Sequence, residues 1–279
     1  MKFKKILIAF NANKPVAKPN AEKISKYLKE QGFDVIKTSI LNKKTKKPDL
    51  VISLGGDGTV LKTARFFMGK NIPVFGINSG TLGFLTSVDM DHFKQALEKI
   101  TTGKYIIQER VMLSASLMRN KKTIVSNETA FNDCVIKTTD ARAFLIEGKF
   151  KNKPFQNYFG DGLIVSTPTG STAYSLAASG PIVHPNVDVF LVTAICPHAL
   201  TQRPLILPTD GTLTFVPCIK NDVPAILSLD GQDNFEIKNG DTIKISRSTK
   251  KVKLIFPADY DYFKVLSKKL SWGNRTCKL

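Results

Sequence analysis

The chain has 279 residues, 42% of them hydrophobic and 23% charged, an ordinary globular composition that buries a core without crosslinks. Its net charge of +18 favours polyanions, that is nucleic acid, anionic lipid or phosphorylated small molecules. The basic residues are dispersed, however, with no basic stripe interleaved with aromatics, so neither nucleic acid nor a membrane is the expected partner.

The start, MKFKKILIAF, carries too short an apolar stretch for a signal peptide and reads as a first buried strand, Ile6–Phe10. Ala21–Gln31 has a helical pattern closed by Gly32, and Phe33–Ile36 is strand-like. The one dense basic run, Lys43–Lys47, reads as a solvated loop. Asp49–Leu54 is a buried strand that runs straight into GGDGT, and Val60–Met68 is the next helix. Pro73–Ile77 is a strand and Asp91–Ile100 a helix. Alternating strands and helices imply a parallel α/β sheet.

From Tyr105 the pattern changes to short apolar runs bounded by turns, among them Val111–Met118, Ala143–Phe150, Leu163–Ser166, Thr212–Val216, Thr242–Ser246 and Val252–Phe256. That spacing predicts a mainly-β domain of sandwich type. One helix, Ser171–Ser179, interrupts it, and Phe263, Leu266 and Leu270 are spaced for an amphipathic tail helix that packs back. The expected division is an α/β phosphate-binding domain over 1–103, a β-rich domain over 104–258 and a tail over 259–279. No uninterrupted apolar run approaches the ~20 residues of a membrane helix. Cys134, Cys196, Cys218 and Cys277 are scattered, with no CxxC pair, which fits a reduced cytoplasm. His92, His184 and His198 are isolated and form no metal cluster.

Two segments carry chemistry. In the first, the strand VISL ends in Gly55-Gly56-Asp57-Gly58-Thr59 and feeds a helix. Glycines let backbone approach a ligand, and the helix start offers free N–H groups to an anion. The segment fits neither a Walker A loop nor a GxGxxG fingerprint. Asp57 is the odd member: it is either a capping residue in a tight turn or a carboxylate with a chemical task. In the second, Gly160–Pro185, a strand leads through the hydroxyl-rich turn Thr167–Thr172 into a helix start with Tyr174, which can stack on a ring. A Ser/Thr-capped helix packed in a β-domain is the plain alternative.

GGDGT resembles the signature shared by NAD kinases, diacylglycerol and sphingosine lipid kinases and, as GGDGS, phosphofructokinases. Asp161–Pro185 looks like the second signature of the NAD kinases nearly throughout. Gly76–Leu85, Phe131-Asn132-Asp133 and Ser228–Gln232 resemble three further pieces of that family in the expected order. The resemblance implies transfer of the γ-phosphoryl of ATP, or of polyphosphate, to the 2′-hydroxyl of the adenosine ribose of NAD. It implies Asp57 as general base and magnesium carried on the triphosphate oxygens. Gly58 would supply backbone to the nucleotide pocket, and Lys62 is either a phosphate-neutralising group or an exposed helix lysine. Leu61 and Phe84 would wall the adenine pocket, Asn132 would read an adenine edge, and Asp133 would accept from ribose hydroxyls. Asp161, Thr172, Ala173, Tyr174, Ser175, Ala177 and, more weakly, Gln232 match NAD-binding positions. Some of these serve a neighbouring subunit, which implies a homodimer or homotetramer. Asp133 stands where the family usually has Glu, and Ala177 where Ser is frequent. A lipid kinase of the diacylglycerol type, or a non-catalytic nucleotide or nucleic-acid binder, is the alternative.

Overall fold

Every residue of Leu50–Leu54 and of Pro73–Asn78 is buried. Such runs suit strands covered on both faces. The computed structural model, which describes residues 3–80, 83–220 and 223–272, places them side by side in a parallel sheet. Cys277 and the Thr81-Leu82 pair of the Gly76–Leu85 stretch lie outside the described residues.

In chain order the elements are β1 (Lys5–Phe10), α1 (Ala17–Glu30), β2 (Asp34–Thr38), β3 (Leu50–Leu54), α2 (Asp57–Phe67), β4 (Pro73–Asn78), β5 (Val88–Asp89), α3 (Phe93–Thr101) and β6 (Tyr105–Arg110). Twelve strands follow: β7 (Leu113–Arg119), β8 (Lys122–Ala130), β9 (Asp133–Thr138), β10 (Phe144–Phe150), β11 (Lys153–Gly160), β12 (Gly162–Ser166), β13 (Val189–Ile195), β14 (Leu205–Pro208), β15 (Leu213–Cys218), β16 (Ala225–Leu229), β17 (Asp233–Ile237) and β18 (Thr242–Arg247). A short helix, α4 (Tyr174–Ala177), lies between β12 and β13, and the chain ends in β19 (Val252–Pro257) and α5 (Tyr262–Leu270).

Two compact units result. The first runs to Glu109 and resumes at Val252; the second is Arg110–Lys251. The sheet of the first unit has the order β2-β1-β3-β4-β19-β6, with β5 attached to β4. Ile6, Ile52, Phe75 and Ile77 from its strands pack with Ile24 and Leu28 of α1 and Phe93 and Leu97 of α3. Helix α1 buries Ala17, Ala21, Ile24 and Leu28, one face at helical spacing.

The second unit has two antiparallel sheets, β11-β10-β15-β18-β7-β8 and β14-β13-β12-β9-β16-β17. Strands β7, β10 and β15 alternate buried and half-buried residues. Their inward side chains, such as Leu113, Ile146 and Phe215, share one core with Ile136, Leu163 and Leu227 of the other sheet. This is the β-sandwich arrangement. A charged pair is built into it: Arg119 Nε and Nη2 donate to the carboxylate of Asp241 at 2.9–3.3 Å, and that side chain is 1% exposed.

The expected boundaries shift. The run Val252–Phe256 belongs to the first unit as β19, parallel to β4, instead of to the β domain. Burial explains this: five of the six residues of β19 are buried, as an interior parallel strand requires and a two-faced sandwich strand does not. Tyr105–Arg110 joins the first sheet as well, so the first boundary falls at 109/110 instead of 103/104. Helix α2 starts at Asp57, three residues before the expected Val60, because Gly56 takes the cap position and its carbonyl accepts from the N–H of Thr59 and Val60. The expected helix Ser171–Ser179 is broken. A 3-10 turn covers Thr169–Thr172, Ala173 leaves helical geometry (φ −102°, ψ −129°), and α4 is a single turn.

Candidate active site

The functional side chains fall into one set per unit. In the first, β3 delivers the glycine loop. Gly55 N–H donates to Ile77 O (2.9 Å), and Gly55 has a φ of 156°. A Cβ there would lie 2.7 Å from Thr59 Cβ, so the turn into α2 needs glycine. Asp57 is the first residue of α2 and does not cap it. Its carboxylate turns to the chain after β4 instead, where Oδ2 accepts from Phe84 N–H (2.8 Å) and Oδ1 from Leu85 N–H (2.9 Å). Of the two sequence readings of Asp57, the capping one fails. A Cβ on Gly83 would collide with this carboxylate, 2.7 Å from Oδ2 and closer still to Cγ and Oδ1.

On this unit a cleft of about 360 Å³ opens at the carboxyl ends of β1 and β2 beside the first turn of α2. Ligands of open α/β sheets bind at strand carboxyl ends. Gly56, Gly58 and Lys62 line it, joined by Asn11, Lys14, Thr38 and Ser39, which sequence reasoning missed. The Nζ of Lys14 lies 4.0 Å from where a Gly56 Cβ would stand, so a second ammonium group faces the helix start. Asp57 does not line this cleft. Leu61 is buried in α2, and Phe84 is half-buried with Lys269 Nζ 5.7 Å from its ring centroid.

In the second unit, Asn132 and Asp133 are held from both sides. Asp230 accepts the N–H groups of Phe131, Asn132 and Asp133 at 2.7–3.2 Å. Thr167 donates its N–H to Asn132 O (2.9 Å) and its hydroxyl to Phe131 O (2.7 Å). Gly170 lets the hydroxyl-rich turn close on this segment, since a Cβ there would run into the Asn132 backbone. A pocket of about 230 Å³ results, and it gathers Asn132, Asp133, Ala173 and Tyr174 with Lys137 and Asp230.

The Asp133 carboxyl is pushed up to about 7, first by burial and then by the charge of Asp230. Tyr174 is raised by burial, then by Cys196, Asp133 and Asp161. The Cys196 thiol donates to Asp161, which holds it above the usual thiol range. Thr172 is half-buried beside this group and Ala177 exposed. Ser175 turns inward: it is fully buried, with its hydroxyl 3.1 Å from Thr193 Oγ1. Gln232 is exposed and outside the pocket lining. Its neighbour Asp230 does the holding, and the available signal was the Asp-Gly pair. Asp230 (φ 54°) and Gly231 (φ 64°) both take left-handed backbone in the β16–β17 hairpin, as that dipeptide favours. Among the described residues no three His, Cys, Asp or Glu side chains gather as a metal site.

Known proteins match over both units. The family model of the ATP-NAD kinase N-terminal domain fits residues 36–105, and that of the ATP-NAD kinase C-terminal domain fits 131–256. The NAD kinase of Sulfurimonas denitrificans is 38% identical over 97% of this chain and 98% of its own. That of Treponema denticola is 39% identical over 99% of both. Among solved structures, yeast NADH kinase complexed with NADH superposes with a TM-score of 0.83 at 25% identity, covering 100% of this chain and 91% of its own. An NAD kinase from Archaeoglobus fulgidus in complex with ATP gives 0.78 at 23% identity over 96% and 98%, a likeness of fold. None of these matches supports the lipid-kinase alternative. Matched over nearly its whole length by relatives 38–39% identical and by both family models, the chain belongs to the NAD kinase family.

Proposed function

We propose that this protein phosphorylates NAD at the 2′-hydroxyl of its adenosine ribose, with ATP as donor. The observation that carries the reading is the placing of Asp57. A carboxylate stands at the start of the helix that follows a phosphate-type loop, and the backbone N–H groups of Phe84 and Leu85 hold it in place.

In this reading the first unit holds the donor. The triphosphate lies against the first turn of α2, where backbone N–H groups and the helix dipole favour anions. Lys14 and Lys62 neutralise its charge, and Asn11, Thr38 and Ser39 offer polar groups to the nucleoside. Magnesium enters as part of the donor substrate, on the phosphate oxygens. Polyphosphate would use the same anion seat. The second unit holds the acceptor, with Asn132 at the adenine edge, Asp133 at a ribose hydroxyl and Tyr174 against a ring. The 2′-oxygen attacks the γ-phosphorus, the bond to the β-phosphate oxygen breaks, ADP leaves and the hydroxyl proton passes to Asp57. Phosphoryl transfer depends mainly on positioning and charge neutralisation, which fits a base fixed by backbone. We read the working form as a homodimer or homotetramer with a shared acceptor site, acting in the cytoplasm. In support of the latter, Cys196 and Cys218 carry free thiols, as a reducing compartment leaves them.

Purified protein given NAD, ATP and magnesium should form NADP, and Asp57→Asn should lower turnover by about a thousandfold with the fold intact. Absence of NADP with every donor would sink the reading, and wild-type turnover in the variant would remove Asp57 from its role.

A further inference from the structure

Three consecutive N–H groups after β4 are spent in two ways. Those of Phe84 and Leu85 go to Oδ2 and Oδ1 of Asp57, at 2.8 and 2.9 Å. That of Gly83 goes to a side chain, Thr86, whose Oγ1 accepts it at 2.8 Å. Thr86 is fully buried and Gly83 is buried with it, so water does not stand in for either partner. The bond ties the first residue of a four-residue loop to the last, and the two N–H groups that hold Asp57 belong to the residues between. The far end of the loop is fixed by backbone. Ser87 N–H donates to Gly76 O (3.0 Å), and a Cβ on Gly76 would stand 2.7 Å from Leu85 O and 3.1 Å from Thr86 Cα, so the loop lies directly on β4. The near end, at Gly83, rests on the Thr86 hydroxyl.

The geometry points to Thr86 as a positioning residue for the proposed base: its hydroxyl fixes the loop whose backbone holds the Asp57 carboxylate. This rests on the kinase reading above. Gly83 lies against that carboxylate, since a Cβ on it would stand 2.7 Å from Oδ2 and closer still to Cγ. Leaving a buried N–H unpaired is costly. A Gly83 N–H deprived of Thr86 Oγ1 therefore turns to the strongest acceptor within reach, the Asp57 carboxylate. That draws Asp57 off the N–H groups of Phe84 and Leu85 and out of line with the attacking hydroxyl. Thr86 lines neither the donor cleft nor the acceptor pocket, so its loss falls on the chemical step and not on binding.

The test sets Thr86→Val, which keeps the shape and removes the acceptor, against Thr86→Ser, which keeps the acceptor. Both are made in the wild type and in the Asp57→Asn background. Thr86→Val should lower kcat about tenfold, part of the roughly hundredfold that a full ångström costs, and leave both KM values within about twofold. Thr86→Ser should hold kcat within about twofold of wild type, since serine supplies the same oxygen. In the Asp57→Asn background Thr86→Val should cost less than about twofold, because the group it positions is gone. A merely structural threonine would lose activity alike in both backgrounds, and that outcome overturns the proposal. So does a wild-type kcat in Thr86→Val, or an equal loss in Thr86→Ser. If Thr86→Val does not fold, Thr86→Cys takes its place beside Thr86→Ser, with a weakly accepting sulfur for the oxygen. Amide hydrogen exchange at Phe84 and Leu85 should be faster in Thr86→Val than in Thr86→Ser, and equal exchange overturns the proposal without any turnover. If the wild type forms no NADP, the kinase reading fails, and exchange alone decides whether Thr86 holds the seat of Asp57.

Discussion

Replacing Gly83 with alanine perturbs the proposed base without touching it. The new Cβ would stand 2.7 Å from Asp57 Oδ2 and closer to its Cγ and Oδ1, so one side must give way. Gly83 has no left-handed φ, and alanine adds no backbone strain of its own. Either the carboxylate swings off the N–H groups of Phe84 and Leu85, or the segment that carries them retreats by about an ångström. A displacement of that size at a reacting group costs about a hundredfold in rate. The stability cost is smaller. Two hydrogen bonds to a charged group are lost, each contributing about 2 kcal/mol, but Asp57 is half-exposed and water replaces most of that, leaving a net change of about 1 kcal/mol. The assay is kcat at saturating ATP and NAD together with a thermal melt. Gly80→Ala is the control, since its Cβ would meet nothing within 4 Å. A kcat for Gly83→Ala within twofold of wild type would refute the reasoning, as would an equal loss in Gly80→Ala.

Lys14→Ala should raise KM for ATP about tenfold and leave KM for NAD within about twofold, because Lys14 lines the cleft beside α2 and not the acceptor pocket. Equal rises in both, read from initial rates, would remove Lys14 from the donor seat. Asp241→Asn strips Arg119 of its buried partner and should cost about 3 kcal/mol in urea unfolding. A loss under about 1 kcal/mol would mean that the pair is neutral.

Local chemistry was legible in the sequence, and pairing across long separations was not. VISL followed by GGDGT announces a strand, a glycine turn and a helix, and that is what β3 and α2 form. Nothing local says that Asp57 turns to backbone 27 residues ahead. The holding role of Asp230 was hidden for the same reason: its hydrogen bonds reach back 97 to 99 residues. Lys14 lies in the loop after β1, while Thr38 ends β2 and Ser39 follows it, so they meet only when β1 and β2 pair. Ser175 matched its family position, yet packing of α4 on Thr193 consumes its hydroxyl. Strand β19 reads locally as one more short β run, and only its continuous burial marks it as interior to the other sheet.

The order in which this chain is made differs from the order in which it is finished. A ribosome releases β1 to β4 first, yet β4 acquires its neighbour β19 only after Val252–Pro257 has emerged, and β6 pairs with that same late strand. By then all of Arg110–Lys251 is available to fold by itself. The inserted sandwich is therefore completed before the sheet that began the chain: β5 covers Ile77 and Asn78 of β4 early, but the apolar Pro73–Val74 part of that edge stays open through most of synthesis until the last strand closes it.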